Sequence, residues 1–169
     1  IKFRNGSHQL LLATDLAARG IDVPEIKFII HYHFPIKIEE FTHRNGRTAR
    51  MQAEGTAYII HSPGERLPDY LADGKADSYV QEYLMDSPLP EPSPWTTLML
   101  SGGRKDKISK GDIVGLFLKK GGISSDDLGI IELKTDRAYV SIKRQLAPDV
   151  IARLNAVKLK QRKIKLKEI

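Results

Sequence analysis

Prolines recur at every second position from residue 88 to residue 94, within MDSPLPEPSPW (85–95). Proline fixes φ and lacks a backbone N–H, so this stretch can neither continue a helix nor pair as a central strand. An extended, semi-rigid polyproline II segment is expected instead. It predicts a linker between two folded bodies, 1–84 and 96–169. A docking motif for a partner that binds polyproline II helices is the alternative for the same prolines.

The two predicted bodies differ in charge. Residues 1–95 hold 10 Lys and Arg against 13 Asp and Glu, a net charge of −3, whereas residues 96–169 hold 17 against 8, a net charge of +9. A small body with such an excess of cations is typical of nucleic-acid binding. A lysine-rich, solvated surface is the alternative.

Composition excludes several classes of protein. The chain has 169 residues, of which 41% are hydrophobic and 28% charged, as in ordinary globular proteins. No apolar run reaches the roughly 18 residues of a membrane helix, and IKFRNGSHQ lacks a signal-peptide layout. Cysteine is absent, and the histidines show no ligand spacing beyond His31 and His33 on one strand face. We therefore expect a cytoplasmic chain with no membrane partner and no metal ion of its own.

Three short apolar runs predict the fold of the first body. They are LLLAT (10–14), KFIIHYH (27–33) and TAYIIH (56–61), with helical segments between them. This β-α-β order is typical of an α/β fold with a parallel sheet covered on both faces. Ligands of such sheets bind at the carboxyl ends of strands, which is where Thr14 and Asp15 stand. Turn and cap roles are the alternative for Asp15 and Asp22.

Arginines recur at every third residue within HRNGRTAR (43–50). The preceding IEEF (38–41) favours a helix, on which Arg44, Arg47 and Arg50 would share one drifting face. Like charges at this spacing repel, so an anion from outside the run is expected to neutralise them. Phosphate fits best, because the planar guanidinium binds two phosphoryl oxygens at once. A basic surface helix is the alternative.

The arginine run resembles the HRxGRxGR box, motif VI, of DEAD-box ATP-dependent RNA helicases, with Ala49 where glycine is usual. Upstream, LLATDLAARGID (11–22) is similar to motif V of the same family, and FRNG (3–6) to the segment that leads into it. The resemblance implies the C-terminal half of a RecA-like second helicase lobe. The family's Walker-type loop, DEAD box and SAT motif belong to a first lobe and do not occur here, so we expect this chain alone to be inactive.

The resemblance also implies roles in binding ATP. Arg50 would be the arginine finger on the γ-phosphate and Arg47 a second phosphate ligand, so these two are the catalytic candidates. Asp22 would accept a hydrogen bond from the ribose. ATP is the implied cofactor, with Mg²⁺ held mainly by the absent first lobe.

Three further residues of the two boxes have roles implied by the same resemblance. Thr14 would contact the RNA backbone. His43 would bridge to the first lobe of the same protein, and Arg19 would orient the motif V turn. RNA and that first lobe are therefore the implied partners.

The second body is predicted as β-α-β-β-α-β. The predicted elements are a strand in TTLMLSGG, a helix capped by Ser109, a hairpin around Asp136, a helix from Pro148 and a strand in KIKLKEI. This is the order of an RRM-like, ferredoxin-type sandwich, in which two helices cover one face of an antiparallel sheet. The other face is expected to be open.

Alternation along the strands predicts which side chains line the open face. They are Met99, Arg137, Tyr139, Ser141, Lys143, Lys163, Lys165 and Lys167. Tyr139 is the only ring among them, whereas an RRM stacks bases on several aromatic side chains. Phosphate and shape contacts to structured RNA are therefore favoured. The candidate RNA ligands on this face are Arg137, Tyr139, Lys143, Lys163 and Lys165. The alternative surface is a basic loop with Arg104, Lys105, Lys107 and Lys110.

Residues 96–169 resemble the C-terminal RNA-binding domain of DbpA-like DEAD-box helicases, which bind a hairpin of large-subunit ribosomal RNA. The resemblance implies an ATP-dependent RNA helicase that remodels duplexes, is anchored to structured ribosomal RNA and takes part in large-subunit assembly. The alternative is a non-enzymatic RNA-binding module with a degenerate helicase lobe. The intact arginine set argues against that alternative, because a mere platform has no need of it.

Overall fold

The computed structural model describes residues 1–18, 23, 26–48, 55–72 and 88–169. The chain divides into two compact units, which we call the N-terminal unit, Leu12–Leu89, and the C-terminal unit, Ile1–Leu11 with Pro90–Ile169. The first eleven residues thus pack with the end of the chain, a placement that the order of the sequence does not suggest.

The N-terminal unit is built on a parallel pair of strands. Its elements are α1 (Asp15–Ala18), β1 (Phe28–His31), α2 (Ile38–Asn45), β2 (Thr56–Ile59) and α3 (Asp69–Ala72). The strands β1 and β2 run parallel, with Phe28 opposite Thr56 and His31 opposite Ile59. The parallel pairing predicted for the two apolar runs is confirmed.

Two details of this unit differ from the prediction. Residues 10–14, expected as a strand, form none, because strands form by backbone pairing and no described segment pairs with them. The helix α2 ends at Asn45, and the Gly46 N–H donates to the Thr42 carbonyl at 2.8 Å. Arg47 therefore follows the helix in a turn, so the shared helical face predicted for the arginines is wrong for Arg47.

The C-terminal unit carries a four-stranded antiparallel sheet. Its elements are β3 (Trp95–Ser101), α4 (Lys110–Gly115), β4 (Leu128–Leu133), β5 (Arg137–Lys143), α5 (Ala147–Leu154), β6 (Lys158–Leu159), β7 (Arg162–Lys163) and β8 (Leu166–Glu168). The strand order is β4-β5-β3-β8, and β6 with β7 forms a separate hairpin. The final strand expected in KIKLKEI is correspondingly shorter, because Arg162 and Lys163 pair with β6 instead.

The core of this unit follows the period-two prediction. Leu98, Leu100, Val140 and Ile142 are fully buried, and the helices add further apolar side chains to one continuous cluster. The helix contributions are Ile113 from α4, Leu116 and Phe117 from the π-helical segment that continues it (Leu116–Lys120), and Val150 and Leu154 from α5. Each such side chain contributes about 1.5–3 kcal/mol through removal from water.

The start of α4 is fixed by a reciprocal cap. The Asp112 N–H donates to the Ser109 hydroxyl at 3.1 Å, and the Ser109 N–H donates to the Asp112 carboxylate at 2.9 Å. Two N–H groups that the helix leaves unpaired are thereby satisfied. The N-cap predicted at Ser109 is confirmed, and the first turn of α4 is held at a defined place beside the sheet.

Candidate functional site

A two-point ion pair joins the beginning of α1 to the end of α2. Arg44 donates from Nε to Asp15 Oδ1 at 2.6 Å and from Nη2 to Asp15 Oδ2 at 2.8 Å. Its remaining nitrogen, Nη1, donates to the His33 carbonyl at 3.0 Å. One guanidinium therefore holds three separate segments together, and this charge is neutralised within the chain rather than by an external phosphate.

His31 lies beneath this ion pair at the carboxyl end of β1 and is only 1% exposed. Its Nδ1 lies 3.4 Å from Arg44 Nη1, and its Nε2 lies 2.8 Å from Asn45 Oδ1. A guanidinium can only donate, so Nδ1 is the acceptor and Nε2 carries the proton. Burial first, and the nearby Arg44 charge in addition, lower the pKa of His31 below 6.5. The neutral ring thus supports both Arg44 and Asn45.

An aromatic stack supports the same cluster from α2 and α3. The Phe41 ring lies 4.8 Å from the His31 ring and 5.4 Å from the Tyr70 ring. The Tyr70 hydroxyl donates to the Pro35 carbonyl at 2.6 Å. This packing fixes the orientation of α2 in front of the turn that carries Arg47.

Two ion pairs join the β6-β7 hairpin of the C-terminal unit to the first turn of α4 and to the segment before it. Arg162 Nη1 donates to Asp106 at 2.9 Å, and Lys160 Nζ lies 2.8 Å from Asp112. The pKa of Asp112 is lowered to about 2, chiefly by the Lys160 hydrogen bond and also by the Ser109 hydroxyl and N–H. The basic loop that begins at Arg104 therefore lies next to a second basic segment, KLKQRK (158–163).

The resulting surface, which we call the basic loop cluster, is exposed and cationic. Its members are Arg104, Lys105, Lys107, Lys110, Lys158, Lys160, Arg162 and Lys163. Of these, Lys160 and Arg162 pair with acids, whereas no ion pair is found for the other six within the described residues. The sequence reasoning included Lys163 only as a sheet residue and omitted Lys158, Lys160 and Arg162, although KLKQRK (158–163) is visibly basic.

Two cationic candidates on β5 have partners within the chain. Arg137 donates to Asp136, with a shortest distance of 2.7 Å, and this pairing raises the pKa of Arg137. Lys143 Nζ lies 4.3 Å from the centre of the Trp95 ring. Trp95 was missed by the sequence reasoning because it ends the proline-rich run, yet it is the first residue of β3.

Comparison with known families assigns both parts of the chain. Residues 1–52 match the helicase conserved C-terminal domain, and residues 97–168 match the DbpA RNA-binding domain. The ATP-dependent RNA helicase DbpA of Bacillus subtilis is 30% identical over 98% of this chain and 40% of its own length. Over nearly its whole length the chain is thus similar to the DbpA-like DEAD-box RNA helicases.

Other helicases give the same picture. The ATP-dependent RNA helicase DbpA of Escherichia coli is 30% identical over 95% of this chain and 36% of its own length. The probable ATP-dependent RNA helicase DDX17 of Mus musculus is 49% identical over 37% of this chain and 9% of its own length. The chain thus spans about two fifths of the length of the two DbpA relatives that it matches.

Within the DbpA-like assignment, the motif residues fall into two groups. Thr14 and His43 are exposed, and Arg47 is half-buried in the turn after α2. Arg19, Asp22 and Arg50 lie outside the described residues. The roles that the resemblance implies for all six therefore stay predictions.

The candidates of the C-terminal unit are divided between two surfaces. Arg104, Lys105, Lys107 and Lys163 lie in the basic loop cluster, whereas Arg137, Tyr139 and Lys143 lie on β5. Lys165 is exposed before β8, and its N–H donates to the Ser101 hydroxyl at 2.7 Å.

No helix of the described part of the chain is long and apolar enough to cross a membrane. The same residues hold no group of three His, Asp or Glu suited to a metal ion.

Proposed function

We propose that this chain is the part of an ATP-dependent RNA helicase that completes the ATP site and anchors the enzyme to structured RNA. The observation that carries the proposal is the Asp15–Arg44 pair, which joins the motif V box to the motif VI box in one rigid cluster. A chain that only binds RNA has no need to hold these two boxes together. The C-terminal unit, for which we propose an RRM-like arrangement, supplies the basic surface.

Contact with the nucleotide falls to Arg47 and Arg50 in this proposal, since Arg44 is committed to Asp15. The two guanidinium groups would bind the γ-phosphate and stabilise the negative charge that develops as the phosphoryl group is transferred. Asp22 would accept a hydrogen bond from the ribose. Mg²⁺ would neutralise further phosphate charge, and it would be bound by the first helicase lobe, since the described residues offer no acidic cluster for it.

The turn with Arg47 is held by the cluster behind it. Asn45 accepts a hydrogen bond from His31, and Gly46 closes the helix immediately before Arg47. A fixed approach of the guanidinium to phosphate reduces the reorganisation needed when ATP is bound. Thr14 would contact the RNA backbone, Arg19 would orient its turn, and His43, exposed on α2, would face the first lobe.

RNA anchoring is assigned to the basic loop cluster. Six of its eight cations have no acidic partner in the described structure, whereas Arg137 and Lys143 on the sheet are engaged by Asp136 and Trp95. Cations that release counterions from phosphate supply most of the affinity for nucleic acid. We further propose that the RNA is structured ribosomal RNA, that the enzyme acts in large-subunit assembly, and that it does so in the cytoplasm.

The decisive experiment compares ATPase rates of the complete helicase. Arg50→Ala is expected to lower RNA-stimulated turnover at least about a hundredfold while leaving the affinity of residues 96–169 for RNA unchanged. Arg66→Ala is the matched control, because Arg66 is an exposed arginine of the same unit whose only ion-pair partner among the described residues is Asp69. It should retain normal turnover.

The purified 169-residue chain is expected to show no RNA-stimulated ATPase, because binding of Mg²⁺ and of the phosphates from the other side is missing. Near-normal turnover by the Arg50→Ala enzyme would contradict the finger role. If the complete wild-type protein binds RNA but lacks ATPase, the chain is instead part of a non-enzymatic module.

A further inference from the structure

The middle of the sheet face opposite the core is lined by small residues. Thr97 on β3 and Ser141 on β5 are 0% and 1% exposed and stand opposite each other in the strand register. Beside them, β4 has Gly129, where an added Cβ would lie 3.0 Å from Ser141 Cβ and 3.2 Å from Trp95 Cζ3. This part of the face is a shallow recess with two hydroxyl groups at its floor.

Residues 3–7 fill this recess. Ser141 Oγ donates to the Asn5 carbonyl at 2.8 Å, and Thr97 Oγ1 lies 2.7 Å from Ser7 Oγ. Since the Ser7 hydroxyl already donates to the Lys2 carbonyl at 3.1 Å, Thr97 is the donor to Ser7. Asn5 and Ser7 are 4% and 6% exposed. Both hydroxyls of the recess are therefore satisfied by one short segment of the same chain.

A third hydroxyl, at the edge of the recess, also contacts the segment and has further bonds to its own neighbours. Ser93 Oγ donates to the Gly6 carbonyl and accepts the Trp95 N–H at 3.1 Å. Arg144 Nε donates to the Ser93 carbonyl at 2.8 Å. On the opposite side, Arg4 Nη1 lies 3.8 Å from Glu132. The segment is thus contacted from β3, β4, β5 and the residues before β3.

The segment has a shape that presents acceptors to these donors. The N–H groups of Asn5, Gly6 and Ser7 bond to the carbonyls of Ile1, Phe3 and Lys2 within the same turn, at 2.9, 3.1 and 3.0 Å. The left-handed conformation of Gly6, with φ of 72°, lets the chain turn at this point. Since the turn uses the carbonyls of Ile1, Lys2 and Phe3, those of Asn5 and Gly6 remain to accept from Ser141 and Ser93.

We propose that this face of the sheet is a polypeptide-docking surface whose ligand is the chain's own segment 3–7, and that RNA is bound without it. Buried hydroxyls that donate to main-chain carbonyls recognise a folded peptide turn, whereas nucleic-acid bases are bound by stacking on exposed rings. The docked turn lies only a few residues before the motif V box (11–22). The second clause rests on the proposed function, whereas docking itself does not depend on it.

A double-mutant cycle on the 169-residue chain tests the docking. Thr97→Val keeps the shape and removes the hydroxyl, Ser7→Ala removes its partner, and the opening of segment 3–7 is followed by hydrogen exchange of the amides of residues 5–7. Thr97→Val alone should speed exchange about tenfold, and Ser7→Ala at least as much, because it also removes the bond to the Lys2 carbonyl. The double variant should exchange little faster than Ser7→Ala, because the bond between residues 7 and 97 is then already lost. If the factors by which the two single changes speed exchange instead multiply in the double variant, the proposal is wrong.

Two controls separate docking from general loosening. Thr96→Val removes another buried threonine hydroxyl of β3, but one that donates to Glu168 at 2.6 Å, so exchange of residues 5–7 should stay unchanged. Asn5→Ala should also leave docking intact, because among the described residues the Asn5 side chain has no hydrogen-bond partner, whereas its carbonyl accepts from Ser141. If Thr96→Val speeds exchange as much as Thr97→Val, the segment has no specific site.

RNA supplies the remaining comparison. Saturating the chain with a labelled structured RNA hairpin should leave exchange of residues 5–7 unchanged, and Thr97→Val should leave RNA affinity unchanged. If RNA displaces the segment and Thr97→Val changes affinity, the face is a nucleic-acid surface and the proposal is wrong. A chain that docks its segment but binds no RNA would contradict the proposed RNA anchoring and leave the docking in place.

Discussion

Arg44 donates to both carboxylate oxygens of Asp15, at 2.6 and 2.8 Å, across 29 residues of chain. The planar guanidinium donates two hydrogen bonds to one carboxylate, which is the arrangement that the sequence predicted with a phosphate group. The first of the three motif VI arginines is therefore a structural residue, and the residues that it joins belong to the two boxes on which the helicase assignment rests.

Removing the Asp15 charge should weaken the N-terminal unit. Asp15→Asn keeps the shape of the side chain but leaves Arg44 one acceptor instead of two at this position, and we expect the free energy of unfolding to fall by about 1–2 kcal/mol, a modest loss because both side chains are partly exposed. Urea unfolding followed through NMR signals of residues 26–48 measures it. Asp69→Asn, which breaks an almost fully exposed pair with Arg66, should cost less than about 0.5 kcal/mol. Equal losses would refute the structural role of Arg44.

The stability of the same unit should depend on pH through His31. Its pKa is lowered in the folded chain, so the unfolded chain binds the proton more tightly, and stability is complete above pH 6.5 and decreases as the pH falls below that value. A protonated Nδ1 would face the Arg44 guanidinium, and Asp15 would compensate for this repulsion only in part. Urea unfolding between pH 5 and 8 should show that the free energy of unfolding of the wild-type chain decreases as the pH falls.

Substitutions at His31 and His33 show which group causes this slope of the free energy of unfolding against pH. His31→Gln, which can still donate to Asn45 but does not titrate in this range, should remove it. His33→Gln should leave it intact, because His33 is exposed and only its carbonyl accepts from Arg44. A slope that persists in His31→Gln would show that another group is responsible.

Binding of RNA by the C-terminal unit should be strongly salt-dependent. Double alanine substitution at Lys105 and Lys107 should reduce the slope of log K against log salt by about one unit per charge, or slightly less. Tyr139→Ala should leave the slope unchanged, as should Arg137→Ala, whose guanidinium is bound by Asp136. Titrations of a labelled ribosomal RNA hairpin at three salt concentrations measure these slopes. Loss of binding in Tyr139→Ala alone, with unchanged slopes, would assign the affinity to stacking.

The link between α4 and the β6-β7 hairpin should weaken in acid. The pKa of Asp112 is lowered to about 2 by Lys160 and Ser109, so its contribution to stability is complete above pH 3.8 and is lost as the pH falls toward 2. Asp112→Asn should remove this part of the acid sensitivity, as measured by thermal unfolding between pH 2 and 5. Asp149→Asn, at an exposed position of α5, is the control and should leave the profile unchanged.

Local patterns explain what could be predicted. The Ser109 cap, the buried alternation of Leu98 and Leu100, and the hairpin at Asp136 all depend on residues a few positions apart. Period and capping chemistry act at that distance, so the sequence alone is sufficient for them. The two helicase boxes were likewise legible as contiguous strings of residues, and the comparisons confirm the family that they indicate.

Long-range contacts explain what could not. The expected strand at 10–14 and the expected helical face through Arg47 both assumed that a local pattern decides, yet a strand needs a paired neighbour and a helix ends where its cap is satisfied. Nor does any pattern in the sequence pair Lys160 with Asp112. That contact forms only when the fold brings the β6-β7 hairpin to the start of α4.

The sequence by itself determined the family, the excess of cations in residues 96–169, and the secondary structure around each local signal, because these depend on residue identity and short spacing. Only the tertiary structure decided that Arg44 is neutralised by Asp15, and that the Ser141 hydroxyl donates to the carbonyl of Asn5, 136 residues away in the chain. Charges and buried hydroxyls must find partners, and which partner is within reach depends on the packing of the whole chain.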